Sequence, residues 1–310
     1  MNQLAHSLYK TLLSDETRKK SERIILIIAI ASFFIHLSII FLVDLGLVKI
    51  DSGTTLFENP IAAIYTPFSF VLVYEVYLLI FYLPRSITTY IGKQYEIITL
   101  IIIRRIFKDL SALSLSPDWF SQKYDLQFTY DILASVILFF LIYLFFKQSK
   151  KRNLVTEADM SKEVGTARFI RVKKLMALAL VPILIVLSMY SFSTWLFGVL
   201  SPSENADVAF QNLNNVFFEQ FFTVLIIVDV FLLLFSFFHT DEFHKVIRNS
   251  GFIISTILIR LSFSVTGLMN TVLIVAAVVF GLLMFFIYNK FEKRLAEQLM
   301  SARKGEGKKS

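Results

Sequence analysis

Four charged residues lie inside long apolar stretches, where a charge can bind an ion, transfer a proton or hold a solute. Glu75 and Asp229 are acids, and Arg104 and Arg260 are arginines. Ionisable residues in a membrane interior are costly, and they are usually paired or placed along a pathway for ions or protons. Arg105 directly follows Arg104 and adds another positive charge. We therefore take these five residues as a candidate ion or substrate pathway.

The distance of each charge from the nearest basic loop predicts which charges meet. Glu75 is ten residues from Arg85, and Arg104 is eleven residues from Lys93. Because a helix rises about 1.5 Å per residue, both charges lie roughly 15 Å from the same edge of the membrane. We therefore expect an ion pair between Glu75 and Arg104.

The second half of the chain repeats this arrangement. Asp229 is ten residues from His239, and Arg260 is twelve residues from Arg248. We expect a second ion pair between Asp229 and Arg260. Two interpretations are open, since buried pairs either line a polar pathway or only fix how helices dock.

The elements that must position these charges are membrane-spanning helices. Of the 310 residues, 56% are hydrophobic and 18% are charged, whereas soluble domains average about 45–50% apolar and about 25% charged residues. This balance excludes a soluble globular domain and a disordered chain. The absence of cysteine excludes a disulfide scaffold, a thiolate metal site and a cysteine nucleophile.

Runs of about 20 apolar residues mark the predicted spans. We favour an all-α polytopic bundle of about eight transmembrane helices. The predicted spans lie near residues 24–43, 61–83, 95–113, 128–146, 175–200, 216–238, 249–265 and 268–289. A tight turn at Thr266–Gly267 is expected to join the last two spans. The alternative has six spans, with 95–113 and 251–264 lying flat at the interface as amphipathic helices.

The basic residues set the expected orientation. Lys and Arg accumulate in cytoplasmic loops, and 25 of the 31 fall in five segments that eight spans place on one side. Both termini are then cytoplasmic, and the first apolar run is a signal anchor, since it has full span length. We expect a multi-pass protein of the plasma (cell inner) membrane. The net charge of +7 reflects contact with anionic lipid headgroups, not nucleic-acid binding.

An internal repeat accounts for the recurring charges. Residues 75–81 (EVYLLIF) match 229–235 (DVFLLLF) at an offset of 154, and 97–104 (IITLIIIR) match 253–260 (IISTILIR) at an offset of 156. We therefore expect two tandem four-helix repeats of the same orientation. The first repeat is residues 1–153 and the second is 154–310, which ends in a basic cytoplasmic tail. Parallel repeats are one building plan of transporters.

The polar linker 148–171 contains the expected boundary between the repeats. It predicts an exposed cytoplasmic loop or a short helix, because it has little apolar periodicity.

The hypothesis that we favour is transport or conduction of an ion or small solute along a pathway lined by the buried acid–arginine pairs. No catalytic or nucleotide-binding motif is present, so we expect no enzyme and no cofactor. His239 and His244 flank Asp241 and Glu242, and we interpret this cluster as a solvated loop. The alternative is a non-catalytic sensor, anchor or complex subunit that binds a cytosolic partner, and homo-oligomerisation is left open.

Overall fold

The computed structural model describes residues 3–47, 60–110, 123–156, 164–200, 206–238, 243–265 and 267–306. Within these ranges the chain is almost entirely helical and has no β-strand. The described residues form nine α-helices: α1 (Gln3–Leu12), α2 (Asp15–Asp44), α3 (Tyr65–Tyr82), α4 (Ile87–Leu110), α5 (Lys123–Thr156), α6 (Val164–Leu200), α7 (Ala206–Phe237), α8 (Phe243–Ser262) and α9 (Leu268–Glu306). A 3₁₀ helix, Pro60–Ile64, directly precedes α3.

Five segments of the described chain are long and apolar enough to cross a membrane. They are Asp15–Asp44, Asp125–Lys150, Arg168–Tyr190, Gln220–Phe237 and Leu268–Leu295. A shorter apolar helix, Thr66–Tyr82, lies within α3. These helices confirm the all-helical prediction and are compatible with an integral membrane protein. Helices α4 and α8 are more polar, and they are not among the five.

Helix α4 runs antiparallel along the length of α3. At one end the Lys93 ammonium lies 5.4 Å from the ring centroid of Tyr82. At the other end the rings of Phe68 and Phe107 are 5.4 Å apart. The stretch of α3 from residue 68 to residue 82 covers about 21 Å. The two helices therefore accompany each other over most of the thickness of a bilayer core, which is about 30 Å.

Helix α8 packs on α7 in the same antiparallel manner. The Asn249 amide nitrogen donates to the Ser236 hydroxyl at 2.9 Å. Fourteen residues earlier on α7, the ring of Phe222 stacks on that of Phe263 at 5.6 Å. Like α4, α8 is more polar than the five apolar helices. Its buried polar residues, such as Asn249 and Arg260, contact neighbouring helices.

Helices α4, α5, α8 and α9 meet at the centre of the bundle. Four large aromatic side chains are buried there: Tyr95, Phe145, Phe252 and Phe285. The rings of Phe145 and Phe285 are 5.1 Å apart, and Phe145 also meets Tyr95 edge-on at 5.3 Å. Their mutual contacts join the first half of the chain to the second.

Two helices begin earlier than hydropathy predicted. Helix α4 begins at Ile87 instead of near residue 95, and α8 begins at Phe243 instead of near 249. Polar residues in these early turns hide the helices from a hydropathy count, yet Thr88 and Gln94 are buried against neighbouring helices. The polar linker is also more helical than predicted, because α5 continues to Thr156 and α6 starts at Val164.

The turn between α8 and α9 confirms one local prediction. Gly267 has a φ of +76°, in the left-handed region that glycine adopts without strain. Its neighbour Thr266 lies outside the described residues, as do residues 111–113 of the third predicted span, most of the predicted outer loops, and His239, Asp241 and Glu242 of the predicted histidine cluster.

Candidate functional site

The ion pair predicted in the first half is present. Glu75 is on α3 and Arg104 on α4, and the Arg104 Nη2 to Glu75 Oε2 distance is 2.7 Å. The second arm of the same guanidinium donates to the Phe68 carbonyl at 3.2 Å. Both side chains are buried, so the pair offsets the cost of placing each charge in an apolar interior. Its part in a pathway stays a prediction.

The ion pair predicted in the second half is also present, and it is more deeply embedded. Arg260 Nη1 on α8 lies 2.8 Å from Asp229 Oδ2 on α7. Helix α4 of the other half reaches this pair twice. The Tyr90 hydroxyl donates to Asp229 Oδ1 at 3.0 Å, and Arg260 Nη2 donates to the Gln94 side-chain oxygen at 3.0 Å. The pair is thus bound from both halves of the chain.

Arg105 forms a third charged group, with a partner that the sequence did not suggest. Its guanidinium donates through Nε and Nη2 to both carboxylate oxygens of Asp131 on α5. The remaining arm donates to the Asn270 side-chain oxygen on α9 at 2.7 Å. Asp131 also accepts from Gln127 at 2.9 Å and from Thr271 at 3.1 Å. The group therefore connects α4 and α5 to the start of α9.

Two further cations are buried near the opposite end of the bundle. Arg248 donates to the Asn249 side-chain oxygen, and its guanidinium lies 4.3 Å from the ring centroid of Tyr288. Lys173 on α6 donates to the Arg85 carbonyl at 2.8 Å. These groups face the end of the bundle to which the basic loops attach.

Polar groups inside the bundle therefore occur at three levels, and we name them together the polar seam. All of them are buried except Arg105 and Gln127, which are partly exposed. Its inner layer, at the end of the basic loops, consists of Lys173, Ser236, Arg248 and Asn249. Its middle layer consists of Tyr90, Gln94, Asp229, Thr256 and Arg260. Its outer layer consists of Arg105, Gln127, Asp131, Asn270 and Thr271. Glu75 and Arg104 lie beside the seam, at the place in the first half that Asp229 and Arg260 occupy in the second.

A small cavity lies in the middle layer of the seam. Its volume is about 10 Å³, and its polar lining comes from Gln94, Thr256 and Arg260. Gln94 Nε2 and Arg260 Nη1 are buried and make no hydrogen bond within the described part of the chain. Arg260 Nη1 therefore attracts Asp229 as a charge, without the alignment of a hydrogen bond. Two donors without acceptors thus border one small space.

Sequence reasoning missed several members of the seam. Tyr90, Gln94 and Asn270 are uncharged polar residues, and a hydropathy count treats them as ordinary helix positions. Asp131 was visible as an acid near the start of its span, but its pairing with Arg105 depends on how α4 and α5 cross. The recurring spacing found only the charges that both halves share.

Metal binding has no support within the residues that the structure describes, where no group of three or more His, Cys, Asp or Glu could hold a metal ion. His36 makes a side-chain hydrogen bond with Thr66, which is a packing role between α2 and the start of α3. His244 stacks between the rings of Tyr288 and Phe291.

Together, the apolar outer helices and the charged interior are compatible with an integral membrane protein. No family model matches the chain, and neither a curated protein nor a solved structure matches it. The polar seam is therefore the feature of the molecule that bears on its function.

Proposed function

We propose that this chain is a multi-pass protein of the cell membrane that moves an ion or small solute along the polar seam. The observation that carries the proposal is the occurrence of charged and polar side chains, most of them buried, at three successive levels inside the bundle. A bundle that needed only stability would gain as much from apolar residues of similar volume. The proposal assigns no reaction and no cofactor to the chain.

The proposal includes eight crossings. Helix α4 follows α3 from Tyr82 to Phe68, so α4 crosses the membrane wherever α3 does. Helix α8 follows α7 from Ser236 to Phe222 in the same way. An interfacial helix would instead expose one polar face to water, but Gln94 and Arg104 of α4 and Asn249 and Arg260 of α8 are buried against other helices.

The proposal also includes two tandem repeats. Three contacts between α3 and α4 have counterparts between α7 and α8, and both partners are displaced by the offsets of 154 and 156 found in the sequence. Tyr82–Lys93 corresponds to Ser236–Asn249, Glu75–Arg104 to Asp229–Arg260, and Phe68–Phe107 to Phe222–Phe263.

The contacts between the two halves support the same arrangement. Thr271 donates to Asp131, and Phe285 packs on Phe145. Both pairs are separated by 140 residues along the chain. A constant separation is the pattern that two parallel helices give when they pack side by side. Because the order of contacts is the same on both helices, α5 and α9 run parallel, as repeats of one orientation require.

A charge swap tests the pathway more sharply than a neutral substitution, since a lone buried charge also lowers stability. The test variant carries Glu75→Arg and Arg104→Glu, which keeps a pair but exchanges its signs. Asp44→Asn is the control, because this carboxylate is exposed at the end of α2. The proteins are reconstituted in liposomes that report H⁺, K⁺ and Cl⁻ flux in turn.

We expect the wild type and Asp44→Asn to carry at least one of these ions faster than empty liposomes. The swapped variant should stay monodisperse in detergent but lose at least about tenfold in flux, which is about 1.4 kcal/mol of barrier. Wild-type flux in the swapped variant would show that this pair only docks helices. Asp229→Asn serves as the second variant, and intact flux in both would contradict the pathway.

The length of three helices favours a second candidate, a non-transporting subunit or anchor. Helices α5, α6 and α9 have 34, 37 and 39 residues, whereas a span needs about 20. Their extra turns carry basic residues toward the cytosol, where a partner could bind them. In that case deleting residues 150–168 abolishes activity in cells, while wild-type liposomes carry none of the three ions.

A further inference from the structure

We propose that the polar seam carries protons, and that a single water molecule bound between Gln94 and Arg260 takes part in the transfer within its middle layer. This inference rests on the proposed function and names the species that moves. The structure supports it through the size of the cavity, the chemistry of its lining and the hydrogen bonds at Asp229.

The size of the cavity matches one water molecule. A site needs about 10–15 Å³ to hold a water, and the cavity in the middle layer measures about 10 Å³. A hydrated metal ion or an organic solute is far larger. Apolar side chains close the remaining walls: Leu79, Ile98, Phe222 and Ile259.

The lining also has the donors and acceptors that a water molecule requires. Gln94 Nε2 and Arg260 Nη1 are both among the buried donors that have no acceptor within the described residues. A water oxygen accepts two hydrogen bonds, so one molecule satisfies both groups. Its own hydrogens find an acceptor in the Thr256 hydroxyl, which lines the same cavity. Most of the cavity lining is apolar, so the two donors carry the argument, since ordered buried waters bind polar groups that otherwise lack a partner.

The hydrogen bonds at Asp229 provide the next step of the route. Its carboxylate accepts from the Tyr90 hydroxyl on one oxygen, and on the other it faces Thr256 and Arg260. A proton that arrives at the bound water passes to this carboxylate, which becomes neutral, and the water regains its original form. Release toward the Tyr90 side restores the carboxylate. The transfer involves no change in oxidation state and no other reactant.

A carboxyl group also lies near the outer entrance of the seam. Asp125 is fully buried at the start of α5, and neither of its oxygens has a hydrogen-bond partner in the described part of the chain. A buried carboxylate is costly unless a positive charge compensates it. Asp125 is therefore a further buried carboxyl group at the start of the helix that carries Asp131.

The test measures proton flux in liposomes that contain a pH-sensitive dye, with a valinomycin-induced potassium potential as the driving force. Gln94→Met removes the donor at a similar side-chain length, and Gln3→Met is its matched control on exposed α1. Asp229→Asn removes the proton acceptor, and Asp44→Asn is its control. We expect both controls to match the wild type, Asp229→Asn to lose at least about tenfold in flux, and Gln94→Met to lose severalfold. Tyr90→Phe replaces Asp229→Asn if the latter does not fold.

Parallel liposomes that report K⁺ and Cl⁻ separate the outcomes. Flux of K⁺ or Cl⁻ that Asp229→Asn abolishes, without proton flux, overturns the proton inference but retains the proposed function. Absence of all three fluxes overturns both. Wild-type proton flux in Gln94→Met overturns the role of the water. In a density map that resolves waters, we expect a peak at about 2.7–3.2 Å from Gln94 Nε2 and Arg260 Nη1, and an empty cavity would also overturn that role.

Discussion

Replacing Gly281 by alanine puts a methyl group where the Tyr95 hydroxyl now lies. A Cβ at position 281 would be 1.9 Å from Tyr95 Oη and 2.9 Å from Ser255 Oγ. The Tyr95 side chain must then move by more than 1 Å to reach an ordinary contact of about 3.4 Å or longer. That movement breaks its 2.8 Å hydrogen bond with Ser255, which connects α4 to α8 at the centre of the bundle.

The expected magnitude follows from three contributions. Overpacking in a close-packed core costs about 1–3 kcal/mol, and a buried hydroxyl that loses its partner costs about 1–3 kcal/mol. Alanine favours a helix over glycine by about 1 kcal/mol, which acts in the opposite direction. Gly281→Ala should therefore lower the free energy of unfolding by about 3 kcal/mol, within a range of about 1–5.

A double-mutant cycle with Tyr95→Phe isolates the cause. Phenylalanine lacks the clashing oxygen, so Gly281→Ala should cost much less in the Tyr95→Phe background, although the ring carbon at 3.1 Å still leaves some strain. Unfolding in mixed detergent micelles, followed by circular dichroism, measures all four proteins. Residues in contact commonly couple by about 0.5–3 kcal/mol. Additive effects, or a Gly281→Ala variant as stable as the wild type, would refute this packing of α4 against α9.

Three further predictions concern topology, the outer layer and the relation between the halves. In the cysteine-free chain, Ser86→Cys and Leu110→Cys should react with membrane-impermeant thiol reagents from opposite sides, whereas reaction from one side would mean that α4 does not cross. Asp131→Asn should lower the free energy of unfolding in detergent through loss of the Arg105 contact. The loss should be less than the about 3–5 kcal/mol of a fully buried pair, because the Arg105 side chain is 26% exposed. Co-expressed fragments 1–156 and 157–310 should copurify on a tag carried by either one, and separate elution would contradict a buried interface between α5 and α9.

The sequence predicted the charges that meet within each half, and the reason is geometric. An acid and an arginine at equal depth on adjacent antiparallel helices have few other partners in an apolar interior, so depth alone pairs Glu75 with Arg104 and Asp229 with Arg260. Hydropathy likewise marked the helices whose outer faces are apolar.

Contacts between the halves could not be predicted in this way. Tyr90 reaches Asp229 and Gln94 reaches Arg260 because α4 crosses α8 at the centre of the bundle, and no periodicity within one helix encodes that crossing. Hydropathy also placed the start of α4 near residue 95, since the buried polar residues of its first turns resemble a loop in composition. A residue that is surrounded by other helices contacts their side chains instead of lipid. Hydropathy, which describes contact with lipid, therefore does not predict such a residue.

The two halves share some buried polar groups and differ in others. The acid–arginine pair occurs in both halves, where it joins the helix that carries the acid to the helix that carries the arginine. Arg105 has no counterpart, because Leu261 occupies the position 156 residues later and its side chain is exposed. Tyr90 and Gln94 correspond to Val246 and Ser250, and the Ser250 hydroxyl donates to the Val246 carbonyl on its own helix. The Asp229–Arg260 pair is therefore the one that receives polar side chains from the other half, and we expect function to depend on these neighbours as well as on the pairs themselves.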